Sequence, residues 1–237
     1  MKEITLFIPC IINYYFPNLG SEMVSVLESL GHQVLILEKQ GCCGYPFYQE
    51  GEEDQAKEIA QKFLFDFQTG KRDHQTLICS PKCEYMITRH YPQIFNNSVS
   101  HNLCQKVLSD LGSYYLHLVQ KNIRVDPKVA SLLVTDCMSD LELLQQLTGF
   151  DQPHTQWRVF QQGLFCCGAG GGVPKNSPER AITAMQSIFQ FAQEQGLEDL
   201  YFTDDLCLLF ATQMLPKELS HLRCKHIISL IHEHVTT

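Results

Sequence analysis

The stretches "GCCGYP" at residues 41–46 and "FCCGAG" at residues 165–170 each place a vicinal cysteine pair directly before a glycine. The two corners stand 124 positions apart, and other cysteines keep almost the same interval. Cys10 and Cys137 are separated by 127 positions, while Cys42 and Cys166, Cys43 and Cys167, and Cys83 and Cys207 are each separated by 124. Burial alone does not generate a repeated register, so the chain reads as a duplicated unit. Cys104 and Cys224 fall outside the register and read as small buried hydrophobes.

Working outward from the corners, the predicted elements repeat as well. "ITLFIPC" (4–10) and "ASLLVTDC" (130–137) are short apolar runs that each deliver a thiol at the C-terminal end of a buried strand. A helix follows in each half: "GSEMVSVLESLG", with Met23, Leu27 and Leu30 on one face and a stop at Gly31, and "SDLELLQQLTG", stopping at Gly149. Second strands, "QVLILEKQG" and "RVFQQGLF", run into the two Cys-Cys-Gly corners. Longer amphipathic helices come next. One carries the stripe Ala56, Ile59, Ala60, Phe63 and Phe67. The other is capped by Ser177, has Pro178 in its first turn, and carries Ala181, Met185, Ile188, Phe189 and Ala192. Third strands, "QTLIC" and "DLYFT", end beside Cys79/Cys83 and Cys207.

The expectation is therefore an α/β protein of two pseudo-repeated Rossmann-like β-α-β-α-β halves, each closed by a helix, with mainly parallel sheets. The halves are assigned to residues 1–121 and 129–237, with 122–128 as the link. "SPKCEYMITRHYP" is expected to form a helix closed by Pro92, followed by a surface loop over 92–102. In an open parallel sheet the C-terminal strand ends share one edge, where ligands bind. Cysteines distant in sequence would then converge, giving one thiolate cluster per half.

Composition bounds what those clusters serve. The chain has 237 residues, is 44% apolar and 19% charged, and carries a formal net charge of −8, which disfavours nucleic acid as a partner. No apolar run reaches the length of a membrane span. "MKEITLFIPCIINYYF" briefly looks like a signal peptide, but Glu3 and Pro9 interrupt it, so it reads as a first strand of a cytoplasmic protein. Eleven cysteines, an odd number with two vicinal pairs, make an awkward disulfide framework in a reducing compartment. Adjacent cysteines also rarely bridge each other. Metal ligation leads, and soft thiolates select zinc or iron–sulfur centres. Zinc favours four ligands from two short loops. Five thiols from separate strands fit a multi-iron cluster better.

The pattern Cys10, Cys42-Cys43-Gly44, Cys79 and Cys83 resembles the CCG or cysteine-rich domain found in heterodisulfide reductases, in the glycolate oxidase iron–sulfur subunit and in the lactate utilisation protein A group. With two such domains and little else, the chain looks most like the last of these. "CIINYYFPNLG", "CCGYPFYQEG" and "CCGAGGGVPKN" carry the resemblance. It implies a 4Fe–4S-type iron–sulfur cluster on Cys10, Cys42, Cys43 and Cys83, with Cys79 as the fifth ligand. The family's last pair is C-x₂-C, whereas here it is C-x₃-C. In the second half it implies Cys137, Cys166, Cys167 and Cys207, with Asp204 standing where the remaining thiol would be. That second site could hold a cluster or zinc, so the chain would carry one or two clusters.

Gly44, Gly168 and Gly170 are candidate cofactor-binding positions, where bare backbone lets N–H groups approach cluster sulfurs. A phosphate or flavin cradle is the alternative, but Gly168, Gly170 and Gly172 do not complete G-x-G-x-x-G. Tyr14, Tyr15 and Phe16, with Tyr45, Pro46, Phe47 and Tyr48, form either an aromatic rim beside the thiols or ordinary core. Among ten histidines, His32, His74, His90 and His221 sit in polar or loop-like contexts and read as solvated, and His226, His232 and His234 lack i, i+4 spacing. No G-x-S-x-G, P-loop or H-E-x-x-H motif is present. The resemblance implies an iron–sulfur subunit of a multi-component oxidoreductase acting on a small 2-hydroxy acid, L-lactate to pyruvate above others. Its partners would be other subunits of a lactate-utilisation-type complex, iron–sulfur proteins, flavin proteins or both. Two other readings stand beside it: a zinc-bearing structural or assembly module, and a heterodisulfide-reductase-like thiol/disulfide redox subunit.

Overall fold

Two runs of alternating strand and helix give two separate parallel sheets. The structure, a computed structural model, describes all residues except 1, 38, 71–74, 97, 136–139, 161–166, 171 and 237. The chain divides into two compact units, Met1–His117 and Leu118–Val235. The division falls inside the helix Tyr114–Gln120, a few residues before the link expected at 122–128.

The first sheet comprises β1 (Lys2–Phe7), β2 (His32–Ile36), β3 (Thr76–Ile78) and β4 (Leu111–Ser113), in the order β2-β1-β3-β4. The second comprises β5 (Ser131–Val134), β6 (Trp157–Val159), β7 (Asp199–Phe202) and β8 (Arg223–His226), in the matching order β6-β5-β7-β8. Every pairing is parallel. The central strands β1, β3, β5 and β7 are the apolar runs that the sequence marks, because helices cover a parallel sheet on both faces.

The long helices bury the predicted stripes. Ala56, Ala60, Phe63 and Phe67 face inward from Glu53–Gly70, and Ala181, Met185, Ile188, Phe189 and Ala192 from Pro178–Glu194. Gly31 and Gly149 adopt positive φ after the shorter helices, as helix-ending glycines do. Ser177 occupies the N-cap position of its helix without its hydroxyl bonding the backbone.

Four features differ from the sequence expectation. Each sheet has a fourth strand. β4 is only "LGS", and β8 is "RCKH", too short or too polar to register as an apolar run. Cys224, read as a small buried hydrophobe, therefore lies on an edge strand and is half-buried. The helix after Cys83 is not closed by Pro92: Pro81–Tyr85 passes through a π-helical turn, Met86–His90, into Tyr91–Ile94. Proline is tolerated there because it occupies the first turn of that last segment. The expected loop over 92–102 gives way at His101 to the helix His101–Asp110. His32 is buried at 6% exposure, not solvated, whereas His221 is exposed and His74 lies outside the described residues.

The polar edge strand β8 is held chiefly by the Asp199 carboxylate, with Arg223 Nη1 also 3.0 Å from Glu198 Oε2. Arg223 donates from Nε to Asp199 Oδ1 (2.7 Å) and from Nη2 to Oδ2 (3.1 Å), and Lys225 Nζ lies 3.1 Å from Oδ1. Hydrogen bonding from Arg223 holds the Asp199 carboxyl below its ordinary 3.8. A carboxylate lowered in the folded state stabilises fully above its unfolded pKa, and that contribution is lost as pH falls through the folded value. Asp199→Asn is therefore expected to lower the melting temperature at pH 7, with the gap to wild type closing as the melts are repeated below pH 4. A gap that stays constant down to pH 3 would show that the ion pair does not act through this carboxylate.

Candidate functional site

In the first unit the thiols gather where the strands end. Cys10 opens the helix Cys10–Tyr15 just after β1, Cys42 and Cys43 lie in the loop after β2, and Cys79 follows β3 directly. Cys83 sits on the short helix Pro81–Tyr85. These stations bring four sulfurs into a connected set. Cys43 Sγ donates to Cys83 Sγ at 3.3 Å, and Cys42 shares sulfur hydrogen bonds with both Cys10 and Cys43. Cys79 is turned toward Tyr115, its sulfur 3.9 Å from the phenol oxygen.

The set is arranged to carry negative charge on one sulfur. Hydrogen bonds from Cys10 and Cys43, with a further one from the Gly44 backbone, bring the Cys42 thiol down to about 3 against the opposing effect of burial. The Gly44 N–H lies 3.3 Å from Cys42 Sγ. Cys43, donating to Cys42 and Cys83 and fully enclosed, is pushed up instead. A thiolate supported by three donors, in a set of buried and half-buried thiols, is a soft, anionic group. Among the described residues, no three Cys, His, Asp or Glu side chains surround one point as a single metal ion requires. The sulfurs touch in series rather than around a centre. Such a donor set suits a soft metal or a thiolate-held cluster.

Glycine at the corner is required by packing. Gly44 has φ +83°, and a Cβ there would stand 3.1 Å from the carbonyl oxygen of Ala56 in the long helix. At the matching position Gly168 has φ +78°, and its Cβ would come 2.6 Å from Ala181 Cα. Each corner is therefore pressed against the first turns of the following helix, a constraint beyond the N–H···S contact expected from the sequence. Gly170 accepts a bond from the Val173 N–H at 3.2 Å, making a turn.

In the second unit Cys137 and Cys166 lie outside the described residues. Cys167 and Cys207 are joined as a disulfide, with Cα atoms 6.1 Å apart. This runs against the reading that disulfides are disfavoured here: adjacent cysteines rarely bridge, but the strand ends bring together two thiols that are 40 residues apart. The equivalent pair in the first unit, Cys43 and Cys83, is in sulfur contact across the same separation. Asp204 Oδ1 accepts the Cys207 N–H at 2.9 Å as a helix N-cap.

The cysteine-rich domain (CCG) matches residues 4–88 and 155–210. The chain belongs to the cysteine-rich domain family. It is similar to Lactate utilization protein A 1 of Bacillus mycoides, 24% identical over 98% of this chain and 97% of that protein. Lactate utilization protein A of an Exiguobacterium species is 24% identical over 99% of each chain, and that of Bacillus subtilis is 24% identical over 97% of this chain and 98% of its own.

Several residues around this cysteine-rich site escape sequence reasoning. Tyr91, fully buried, donates from its hydroxyl to the Cys43 carbonyl at 2.9 Å, and Gln40 Oε1 accepts the Ile8 N–H beside Cys10. Lys82 is 5% exposed although it is charged and adjacent to Cys83. The only sequence signal for Tyr91 is its place eight residues beyond Cys83. Of the aromatic candidates, Tyr45 is core, whereas Tyr14 and Tyr15 are 78% and 60% exposed shortly after Cys10.

Gly168→Ala is expected to destabilise the chain more than Gly196→Ala. Both positions have positive φ, which costs a non-glycine residue roughly 1–3 kcal/mol, but only Gly168 meets backbone where the methyl would go. Denaturant midpoints of the two variants decide the point, and equal losses would mean that the corner does not press on its helix.

Proposed function

We propose that this chain is an iron–sulfur subunit of a multi-component oxidoreductase that oxidises a small 2-hydroxy acid, L-lactate to pyruvate. The observation that carries the reading is the contact set of Cys10, Cys42, Cys43 and Cys83, delivered from the ends of three adjacent parallel strands. The names of the relatives, which cover nearly the whole of this chain, support the choice of lactate.

Oxidation of L-lactate to pyruvate releases two electrons and two protons, and partner flavin or iron–sulfur proteins would take up what this chain passes on. When bound, an iron–sulfur cluster relays electrons one at a time. Cys10, Cys42, Cys43 and Cys83 would hold it, with Cys79 as the fifth thiol, and the second site would draw on Cys137, Cys166 and, once their disulfide is reduced, Cys167 and Cys207. The protein's own contribution is local. The Gly44 N–H points at Cys42 Sγ, the enclosed Cys43 and Cys83 keep water out, and Tyr91 fixes the Cys43 backbone. Exposed Tyr14 and Tyr15 near Cys10 offer the partner an aromatic surface close to the thiols. Two cysteine-rich repeats acting as separate stations in a cytoplasmic complex complete the reading. Among the described residues, no helix is long and apolar enough to cross a membrane.

The disulfide favours a second reading, thiol/disulfide redox chemistry of the heterodisulfide-reductase kind. Oxidising two thiols to a disulfide releases two protons and two electrons, which the partner proteins would accept. Lactate-dependent and disulfide-dependent turnover, assayed with the partners present, separate the two readings.

Cys43→Ser is expected to remove most of the iron bound by the first unit and to abolish lactate-dependent electron transfer. Cys104→Ser, at a buried cysteine outside the repeat, is expected to leave both unchanged. Iron analysis of anaerobically purified variants checks this. If Cys104→Ser strips iron as completely as Cys43→Ser, the ligand assignment is wrong.

A further inference from the structure

The strand ends opposite the cysteines carry a second cluster of ligating side chains. His32 begins β2 and pairs in register with Lys2 at the start of β1. His117 lies on the helix Tyr114–Gln120. Their rings meet with Nε2 atoms 3.1 Å apart, centroids 4.9 Å apart and planes inclined at 59°. His32 Nδ1 lies 3.3 Å from the Lys2 carbonyl oxygen.

Each of these facts constrains the chemistry. A carbonyl oxygen can only accept, so the Lys2 contact places a proton on His32 Nδ1. In the neutral ring this leaves the Nε2 lone pair directed at His117. A backbone carbonyl holding the remote N–H is the support that orients and strengthens a metal-binding imidazole. Two imidazole nitrogens on one tetrahedral or octahedral ion, with bonds of about 2.0–2.1 Å, stand roughly 3.0–3.4 Å apart. The observed separation falls in that range. His32 is fixed by burial and by the strand, while His117 is half-buried, so solvent can complete the coordination.

The geometry points to a divalent transition-metal site formed by Nε2 of His32 and Nε2 of His117. It is of the zinc or nickel class that imidazole selects, and it is separate from the thiol cluster. Its ligands come from a strand start and a distant helix. A bound ion would therefore tie the helix Tyr114–Gln120 to the N-terminal edge of the first sheet and stabilise the folded state through its affinity.

The test uses the full-length protein and Ni²⁺ alone, chosen to favour nitrogen over the thiols. Equilibrium dialysis followed by metal analysis counts the bound ions in wild type, His117→Gln, His32→Gln and Cys43→Ser. Each histidine variant is expected to bind one equivalent fewer than wild type, and Cys43→Ser is expected to keep the histidine-dependent equivalent. With Co²⁺ as the probe, the absorption lost in His117→Gln should lack thiolate charge-transfer intensity. His117 is half-buried, so its variant is expected to fold and decides the question even if His32→Gln does not. Equal stoichiometry in wild type and His117→Gln would overturn the proposal and leave the pair as a histidine–histidine hydrogen bond. Loss of a component with thiolate charge transfer would overturn it as well.

Discussion

The structure depends on the parallel strand arrangement that brings distant thiols to one edge. Cys43 and Cys83 lie in loop and helix segments that neither sequence proximity nor local turn geometry could join, yet their sulfurs stand 3.3 Å apart. Cys167 and Cys207 repeat the encounter in the other unit. In each case the sheet does the aligning: the central strand and its two neighbours end level, so the segments leaving those ends must meet. Exposed cysteines could be placed together more simply. Burying them here keeps water from the sulfurs and leaves protein donors, Gly44 N–H among them, to set their charge.

That convergence constrains the rest of the unit. The corner must turn tightly enough for one sulfur to receive a backbone N–H while its neighbour faces inward, and the long helix must begin right behind it. Glycine with positive φ meets both demands, and alanines at 56 and 181 give the helix room to approach. The strand-and-corner frame is thus built around the gathered thiols, with the large apolar stripes of the two long helices providing the stability that a polar edge cannot.

Much of this is legible in the sequence because duplication prints itself as a repeated interval. The strands that read as apolar runs are those covered on both faces, and the helices that read as stripes are those packed along one side. The illegible parts have other causes. β4 and β8 are edge strands, and a polar strand such as "RCKH" is held by the Asp199 ion pairs rather than by apolar alternation. The π-helical turn before Tyr91 has no compositional signature, so Pro92 reads as a stop. The Cys167–Cys207 bridge eludes a count of cysteines because parity speaks to the number of bridges and not to which strand ends coincide. His32 reads as solvated for want of a partner in its neighbourhood; its partner lies 85 residues away.

The central claim is that the gathered thiols hold a polynuclear iron–sulfur group. Iron, zinc and acid-labile sulfide, determined together on protein purified without oxygen and compared with its low-temperature electron paramagnetic resonance spectrum, address it most directly. The account predicts iron and sulfide in near-equal amounts, about four of each per cluster, with a paramagnetic signal in one oxidation state. Zinc in place of iron, with no sulfide and no signal, would contradict it.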